Sequence, residues 1–168
     1  VLRYTALGVL EPWINGERVH EDYFTPGWSD YRKRAYISEY DVSDNLQQGE
    51  NCLGAVLGDG WAGAPFGPAG HAVSYAPRTM FVAELVVQYV NGEEETITTN
   101  ADWKWRKGPI ARNSIYNGET FDARKSLLDW SAFTGSERGW LAVEVVDSPE
   151  IKLTEKKCPP VRVTETLT

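Results

Sequence analysis

Short apolar runs separated by tight-turn dipeptides extend along most of the chain, and this pattern constrains the fold more than any other feature. Asn15-Gly16 ends the first apolar run, and Asn91-Gly92 follows a run in which apolar side chains alternate with others. Asn-Gly between apolar runs is a strong hairpin signal, because both residues tolerate positive φ in a type I′ turn. The pattern therefore predicts antiparallel strands joined by tight turns.

The complete set of runs predicts an all-β fold. Predicted strands lie at residues 2–14, 31–40, 52–58, 79–90, 95–99, 140–146, 151–154 and 161–166. The first is expected to bend at Gly8 and Pro12, and residues 41–49 carry capping residues and a glycine stop that allow one helical turn. Short strands without a long helix indicate an antiparallel β-sandwich, and the long loops at 61–77 and 105–124 favour a jelly roll over a meander.

Length and charge limit the organisation and the partners. The 168 residues suit one β-sandwich domain spanning 1–168, and the formal net charge of −7 argues against nucleic acid or an anionic membrane as partner. No apolar run approaches the ~18 residues that span a bilayer, and no signal peptide is visible. The chain starts in a strand pattern without Met, so we expect a piece excised from a longer multidomain protein, whose compartment the sequence does not indicate.

Motifs of known catalytic and metal sites are missing from the sequence. It has no GxSxG, HExxH, phosphate-binding loop or CxxC spacing, and its two histidines, His20 and His71, are too scattered for a zinc site. Cys52 lies in an apolar run and is predicted to be a small buried residue. With Cys158 it could form one disulfide, but sequence alone does not give the geometry. No catalytic residue is assigned, and no cofactor is required.

The segment 105–124 is the first candidate for a functional site. It shows neither a helical period nor a sustained strand period, and it combines three aromatic residues with several amide, carboxylate and guanidinium side chains. Loops longer than roughly 12–15 residues in compact domains are usually functional or disordered, and this one is too aromatic for disorder. We therefore expect a functional loop on a rigid scaffold.

The residue types in this segment and in the turn at 58–61 are those that bind sugars. Aromatic rings lie against the apolar face of a sugar, and planar amides and carboxylates bridge its hydroxyl groups. The candidate carbohydrate-binding residues are Asp59, Trp61, Trp105, Asn113, Tyr116, Asn117 and Glu119. Asp59 and Asn113, with backbone carbonyls near Pro109, are also candidate ligands for Ca²⁺, which takes hard oxygen ligands.

Each of these residues also has a purely structural interpretation. Asp59 between glycines is a turn former, and Trp61 and Trp105 can cover the core of the sandwich. Asn117-Gly118 is itself a turn signal. Glu119 or Asp122 can form ion pairs with Arg112 or Arg124.

Five blocks of the sequence carry a family resemblance that runs over essentially all 168 residues. They are YTALGVLEPWINGERV, DYFTPGWSDYRKRAYISEYDVSDNL, GENCLGAVLGDGWAG, IYNGETFDAR and PPVRVTETL. Together they resemble the N-terminal β-sandwich module of bacterial α-L-rhamnosidases, glycoside hydrolase family 78. The resemblance implies a galactose-binding-domain-like jelly roll and a parent enzyme that hydrolyses terminal α-L-rhamnose with inversion. It also implies that the catalytic acid and base lie in a separate (α/α)6 barrel of the parent chain, to which nothing in this sequence corresponds.

The module is also similar to carbohydrate-binding module family 67, which binds L-rhamnose with help from Ca²⁺ through an Asp-Asn pair. The nearest match is Asp59-Gly60, where Gly60 departs from that pattern and supplies no amide ligand. Two hypotheses follow: a non-catalytic module that binds L-rhamnose or a rhamnose-containing glycan, and a structural module that braces the catalytic barrel. The first expects the Asp59 and Asn113 loops to meet, and the second expects exposed apolar surface.

Overall fold

The computed structural model describes residues 1–64, 75–76, 78–132 and 138–167, and almost every regular element in them is a strand. Most of the predicted loop at 61–77, including His71, lies outside the described residues. The strands are β1 (Leu2–Leu7), β2 (Val9–Ile14), β3 (Glu17–Arg18), β4 (Arg34–Tyr40), β5 (Leu53–Gly58), β6 (Met80–Gln88), β7 (Glu94–Thr98), β8 (Lys104–Trp105), β9 (Ile110–Ser114), β10 (Gly118–Phe121), β11 (Leu141–Ala142) and β12 (Lys152–Glu155). Two 3₁₀ turns, Ser43–Asn45 and Ala123–Lys125, accompany them, and no helix in the described part of the chain is long and apolar enough to cross a bilayer.

Two sheets enclose the main core. One has five strands in the order β12-β4-β1-β6-β7, and the other has three in the order β3-β2-β5. Leu2 and Leu85 of the larger sheet and Leu10 and Ile14 of the smaller sheet belong to one buried cluster. The predicted all-β sandwich is confirmed, and its pairings are antiparallel except for β4 with β12, which is parallel.

The first predicted strand divides at Gly8 and supplies one strand to each sheet. Gly8 has φ of +142°, and a Cβ there would lie 2.4 Å from the Gly58 carbonyl oxygen and 2.7 Å from Thr79 Cγ2. Only glycine fits such a kink, because any side chain would collide with backbone. The expected bend at Gly8 is therefore present, whereas β2 runs through Pro12 without a break.

The two Asn-Gly turns differ. Asn15 and Gly16 both have positive φ, as a type I′ turn requires, and they connect β2 to β3. At the β6–β7 turn only Gly92 has positive φ, and the Tyr89 N–H donates to the Glu93 carbonyl at 2.9 Å. The second turn is thus a wider hairpin than predicted.

Several predicted boundaries are wrong in the second half of the chain. Residues 105–124 were predicted to be an irregular loop, but β9 and β10 form an antiparallel hairpin there. The predicted strand at 140–146 is reduced to β11, and that at 161–166 to one bridge between Tyr23 and Val161. Cys52 and Cys158 are free thiols; Cys52 is half-buried, and burial raises the pKa of its thiol.

Candidate functional site

A side-chain hydrogen bond joins the two segments that the sequence nominated. The Asp59 backbone N–H, directly after β5, donates to Asn113 Oδ1 on β9 at 2.7 Å. These residues are 54 positions apart in the chain, and both are half-buried. We call this contact and its immediate surroundings the Asp59–Asn113 junction.

Glycines allow the close approach at the junction. A Cβ on Gly58 would lie 2.9 Å from Val9 Cγ2 and 3.2 Å from Asn113 Oδ1. A Cβ on Gly60, whose φ is +52°, would lie 2.8 Å from Val9 Cγ1 and 3.0 Å from the backbone of Gly8. Glycines on either side of Asp59 therefore let the turn pack directly against β2 and β9.

The Asp59 carboxylate has one described partner. Thr79 Oγ1 donates to Asp59 Oδ1 at 3.2 Å, and the Gly63 N–H donates to the Asp59 backbone carbonyl at 2.9 Å. Among the described residues, no hydrogen bond uses Asp59 Oδ2 or Asn113 Nδ2, and no Lys or Arg forms an ion pair with Asp59. One carboxylate oxygen of Asp59 and the side-chain amide nitrogen of Asn113 thus have no hydrogen-bond partner among the described residues.

The β9–β10 hairpin places further candidates around Asn113. Glu119 lies directly opposite Asn113 in the ladder, so the two side chains share one face of the hairpin. Tyr116 and Asn117 form the turn, where the backbone N–H of each donates to Ser114 Oγ at 3.2 Å. Both turn residues are exposed, and they lie at the tip of the hairpin.

The two candidate tryptophans differ in their surroundings. Trp61 is half-buried, packs against the smaller core cluster and makes an edge contact with Phe24 at 5.9 Å between ring centroids. Trp105 lies opposite Leu141 in the β8–β11 pair and is 44% exposed. Trp61 therefore supports the turn that carries Asp59, whereas Trp105 belongs to a separate two-stranded sheet.

The candidate Ca²⁺ ligands take part in hydrogen bonds within the domain. Asn113 Oδ1 accepts the Asp59 N–H, and the Pro109 carbonyl accepts the Asp122 N–H at 2.9 Å. Ca²⁺ takes about 6–8 oxygen ligands. No group of three or more His, Cys, Asp or Glu side chains in the described ranges is arranged to hold a metal ion.

The sequence did not reveal a second polar cluster on another part of the sandwich. It joins His20, Asp22 and Tyr40 to Arg162, which is 140 positions from Asp22. Such a long-range contact has no local pattern, and the only available signal was a histidine and an aspartate two positions apart.

Comparison with known proteins identifies the family. The protein-family model that describes the α-L-rhamnosidase N-terminal domain matches residues 1–165 of this chain. The chain belongs to this family. An α-L-rhamnosidase of Streptomyces avermitilis is 39% identical over 165 residues, which cover 97% of this chain and 16% of that protein. One α-L-rhamnosidase of Formosa agariphila is 37% identical over 153 residues, covering 88% of the chain and 16% of its own length.

Solved structures agree with the sequence comparison. The crystal structure of the Streptomyces avermitilis α-L-rhamnosidase complexed with L-rhamnose superposes with a TM-score of 0.90 at 38% identity, covering 98% of this chain and 16% of that one. The native α-L-rhamnosidase of Aspergillus terreus gives 0.91 at 33% identity, covering 98% and 19%. The chain thus spans less than a fifth of the length of these relatives and corresponds to their N-terminal domain.

Proposed function

We propose that this domain is a non-catalytic accessory module of an α-L-rhamnosidase and that it binds L-rhamnose or a rhamnose-containing glycan at the Asp59–Asn113 junction. In this proposal the parent enzyme hydrolyses terminal α-L-rhamnose with inversion in a separate (α/α)6 barrel. The observation that supports the proposal best is the 2.7 Å hydrogen bond that brings the two candidate segments together.

The junction has the chemistry to bind neighbouring hydroxyl groups. A sugar hydroxyl can donate to Asp59 Oδ2 while the next one accepts from Asn113 Nδ2, and none of the described residues competes for either atom. Glu119, on the same face of the hairpin as Asn113, extends the acceptor surface. Tyr116, which is 59% exposed, offers an aromatic surface for the apolar face or methyl group of a deoxy sugar.

Two of the candidate residues take lesser parts in this proposal. Asn117 holds the hairpin turn, since its backbone N–H donates to Ser114 Oγ. Trp105 lies in another sheet, so we assign it to contact a longer glycan rather than the first sugar. No further carboxylate accompanies Asp59 in a metal-binding group among the described residues, and we propose that sugar binding does not require Ca²⁺.

A second function, a structural brace for the catalytic barrel, is favoured by the exposed apolar side chains. Leu128 is 90% exposed, and Phe121 and Leu141 are each 56% exposed. Exposed apolar side chains of this kind usually mark an interface where they form one contiguous surface. The brace hypothesis assigns these side chains to contact with the rest of the parent chain, with no binding of free sugar.

Calorimetry with L-rhamnose separates the two functions. The proposal expects saturable heat in EDTA as well as in Ca²⁺, with dissociation constants on the order of millimolar or tighter. Asp59→Asn keeps the backbone bond to Asn113 but weakens the acceptor. Binding should fall about tenfold, because hydrogen bonds to charged groups contribute roughly 1.5–3 kcal/mol and those to neutral groups roughly 0.5–1.5 kcal/mol. Asp44→Asn, on the exposed 3₁₀ turn Ser43–Asn45, is the matched control and should bind normally.

The absence of heat at concentrations of tens of millimolar would remove the binding function. If the domain then also self-associates, and Leu128→Lys or Leu141→Lys abolishes this association, the brace is the better description. Heat that appears only with Ca²⁺ would contradict the proposed independence from the ion.

A further inference from the structure

The C-terminal strap, residues 158–163, is fastened across the loop that follows β3. The Tyr23 N–H donates to the Val161 carbonyl at 2.8 Å, and this is an isolated bridge outside the sheets. The next strap residue, Arg162, donates from Nε to Asp22 Oδ1. One backbone bond and one ion pair, at adjacent positions on each side, therefore join the strap to the sandwich.

The ion pair is anchored in the interior. The Asp22 side chain is 4% exposed, and its second oxygen accepts from the Tyr40 hydroxyl at 2.6 Å. Burial opposes ionisation of Asp22, but hydrogen bonds from Arg162 and Tyr40 outweigh it, so the pKa of the carboxyl is lowered. A buried carboxylate needs such partners, because removing one leaves an uncompensated charge.

His20 sets the position of Asp22 through a directed chain of hydrogen bonds. The Asp22 backbone N–H donates to His20 Nδ1 at 3.1 Å, so Nδ1 is an acceptor and the ring proton is assigned to Nε2. Nε2 then donates to the Tyr4 hydroxyl at 2.7 Å, Tyr4 donates to Thr25 Oγ1, and Thr25 donates to the Leu10 carbonyl. Every member is satisfied only while His20 is neutral.

The surroundings of His20 also oppose its charged form. The ring is half-buried and stacks on Tyr40 at 3.9 Å between centroids, and Arg18 of β3 and Arg162 of the strap lie near it. Burial is the largest cause that lowers the pKa of His20; Asp22 raises it, the two arginines lower it, and the result is about 4. A proton on Nδ1 would face the Asp22 N–H, so it cannot be added without breaking that hydrogen bond.

We propose that protonation of His20 in acid releases the C-terminal strap from the sandwich. With neutral His20, the Asp22 backbone is held so that its carboxylate receives Arg162 and Tyr40. Protonation of Nδ1 breaks the bond to the Asp22 N–H, displaces the loop and frees the strap. The device is independent of sugar binding, since it shares no residue with the Asp59–Asn113 junction.

Amide hydrogen exchange at Tyr23, followed by NMR, tests the release. The neutral ring favours the state in which the strap is bound, whereas a free imidazole takes up its proton near pH 6.5. The protection factor of the Tyr23 amide, corrected for the intrinsic exchange rate at each pH, should therefore fall about tenfold per pH unit between pH 6.5 and 4. In His20→Asn, whose Oδ1 can replace Nδ1 as acceptor but does not titrate, protection should stay flat over this range. The other histidine supplies the control, His71→Asn, which should retain the slope of the natural chain.

Four results would overturn the proposal. One is constant protection of the Tyr23 amide in the natural chain across this range. Another is an unchanged slope in His20→Asn that retains the far-ultraviolet circular dichroism of the natural chain. The third is equal protection of Tyr23 and of the β1–β6 amides at every pH, which would mean global unfolding instead of strap release. The fourth is a pKa of the His20 ring that is not well below 6.5 in a direct NMR titration of the natural chain. This measurement does not depend on whether the variant folds.

Discussion

The strands up to β6 and the strands after it are held together in different ways. Buried apolar side chains lie on β1, β2, β4 and β6, whereas no hydrophobic residue after Leu85 is buried within the described ranges. In β7, β10 and β11 every residue is exposed. The earlier strands thus build the core, and the later part of the chain joins it through ladder hydrogen bonds, polar contacts such as Asp59 with Asn113 and half-buried rings such as Trp103 against Phe81.

This difference indicates where the function of the domain lies. The early strands bury many of their apolar side chains in the sandwich, although Leu57 of β5 and Val82 of β6 remain 37% and 48% exposed. The later hairpins keep their apolar and amide side chains available for a ligand or a neighbouring domain. The proposed sugar binding therefore combines Asp59, which follows β5, with residues of the later β9–β10 hairpin, whereas the proposed bracing uses exposed apolar side chains that lie after β6.

Paired truncations on the two sides should show the largest contrast. Ile14→Ala in the shared core should lower the free energy of unfolding by about 2–5 kcal/mol, because it leaves a cavity. Leu141→Ala, at a residue that is 56% exposed, should change it by less than about 0.5 kcal/mol. Urea unfolding measures both, and equal effects would contradict the difference in packing between the two regions.

A pair of glycine substitutions should give the next largest contrast. Gly8→Ala should cost about 3 kcal/mol or more, because the new Cβ meets the Gly58 carbonyl oxygen in a strained backbone. Gly92 also has a positive φ, but nothing lies within 4 Å of the new Cβ. Gly92→Ala should therefore lower the free energy of unfolding by only about 1–2 kcal/mol. Thermal unfolding of both variants measures the difference, and a milder effect at Gly8 would contradict the close packing at the kink.

Acid should weaken the polar network on the early strands. The pKa of His20 is about 4 in the folded chain and 6.5 in the unfolded one, so the unfolded state binds more protons between these values. Stability should therefore fall as pH drops from 6.5 to 4, by on the order of 2–3 kcal/mol. The lowered pKa of Asp22 adds a further loss as pH falls below 3.8. Urea titrations at several pH values measure this, with His20→Asn as the variant that should lack the upper part of the slope.

The smallest expected effect concerns the contact between the two regions. Asn113→Ala removes the acceptor for the Asp59 N–H and should cost about 1 kcal/mol, the usual net value of one hydrogen bond. Glu119→Ala, at the exposed residue opposite Asn113 in the hairpin, should leave the free energy of unfolding nearly unchanged. Hydrogen exchange of the Asp59 amide provides the direct readout, and unchanged protection in Asn113→Ala would mean that this bond does not hold the junction.

The sequence was sufficient to predict the strands whose side chains alternate between core and solvent. Leu2, Tyr4 and Ala6 point to the core on β1, so their pattern is visible without a structure. The β9–β10 hairpin was missed because almost all of its residues are exposed, which removes the alternation that marks a strand. Its Asn117-Gly118 turn signal was present but had no apolar runs beside it.

The candidate site was predicted in its residue types but not in its geometry. Asp59 and Asn113 were selected for their chemistry, yet only the fold shows that one donates to the other. The contact of Asp22 with Arg162 was not anticipated, because a pair so far apart in the chain leaves no periodic signal. Long-range polar contacts of this kind depend on register and strand order, which local patterns do not determine.

An NMR titration with L-rhamnose tests sugar binding at the junction most directly. The account predicts that the Asp59 backbone amide and the Asn113 side-chain amide shift saturably with the same dissociation constant, and that Asp59→Asn weakens this response while Asp44→Asn does not. If both signals stay unchanged at concentrations of tens of millimolar, or if only signals distant from the junction move, sugar binding at the Asp59–Asn113 junction is contradicted.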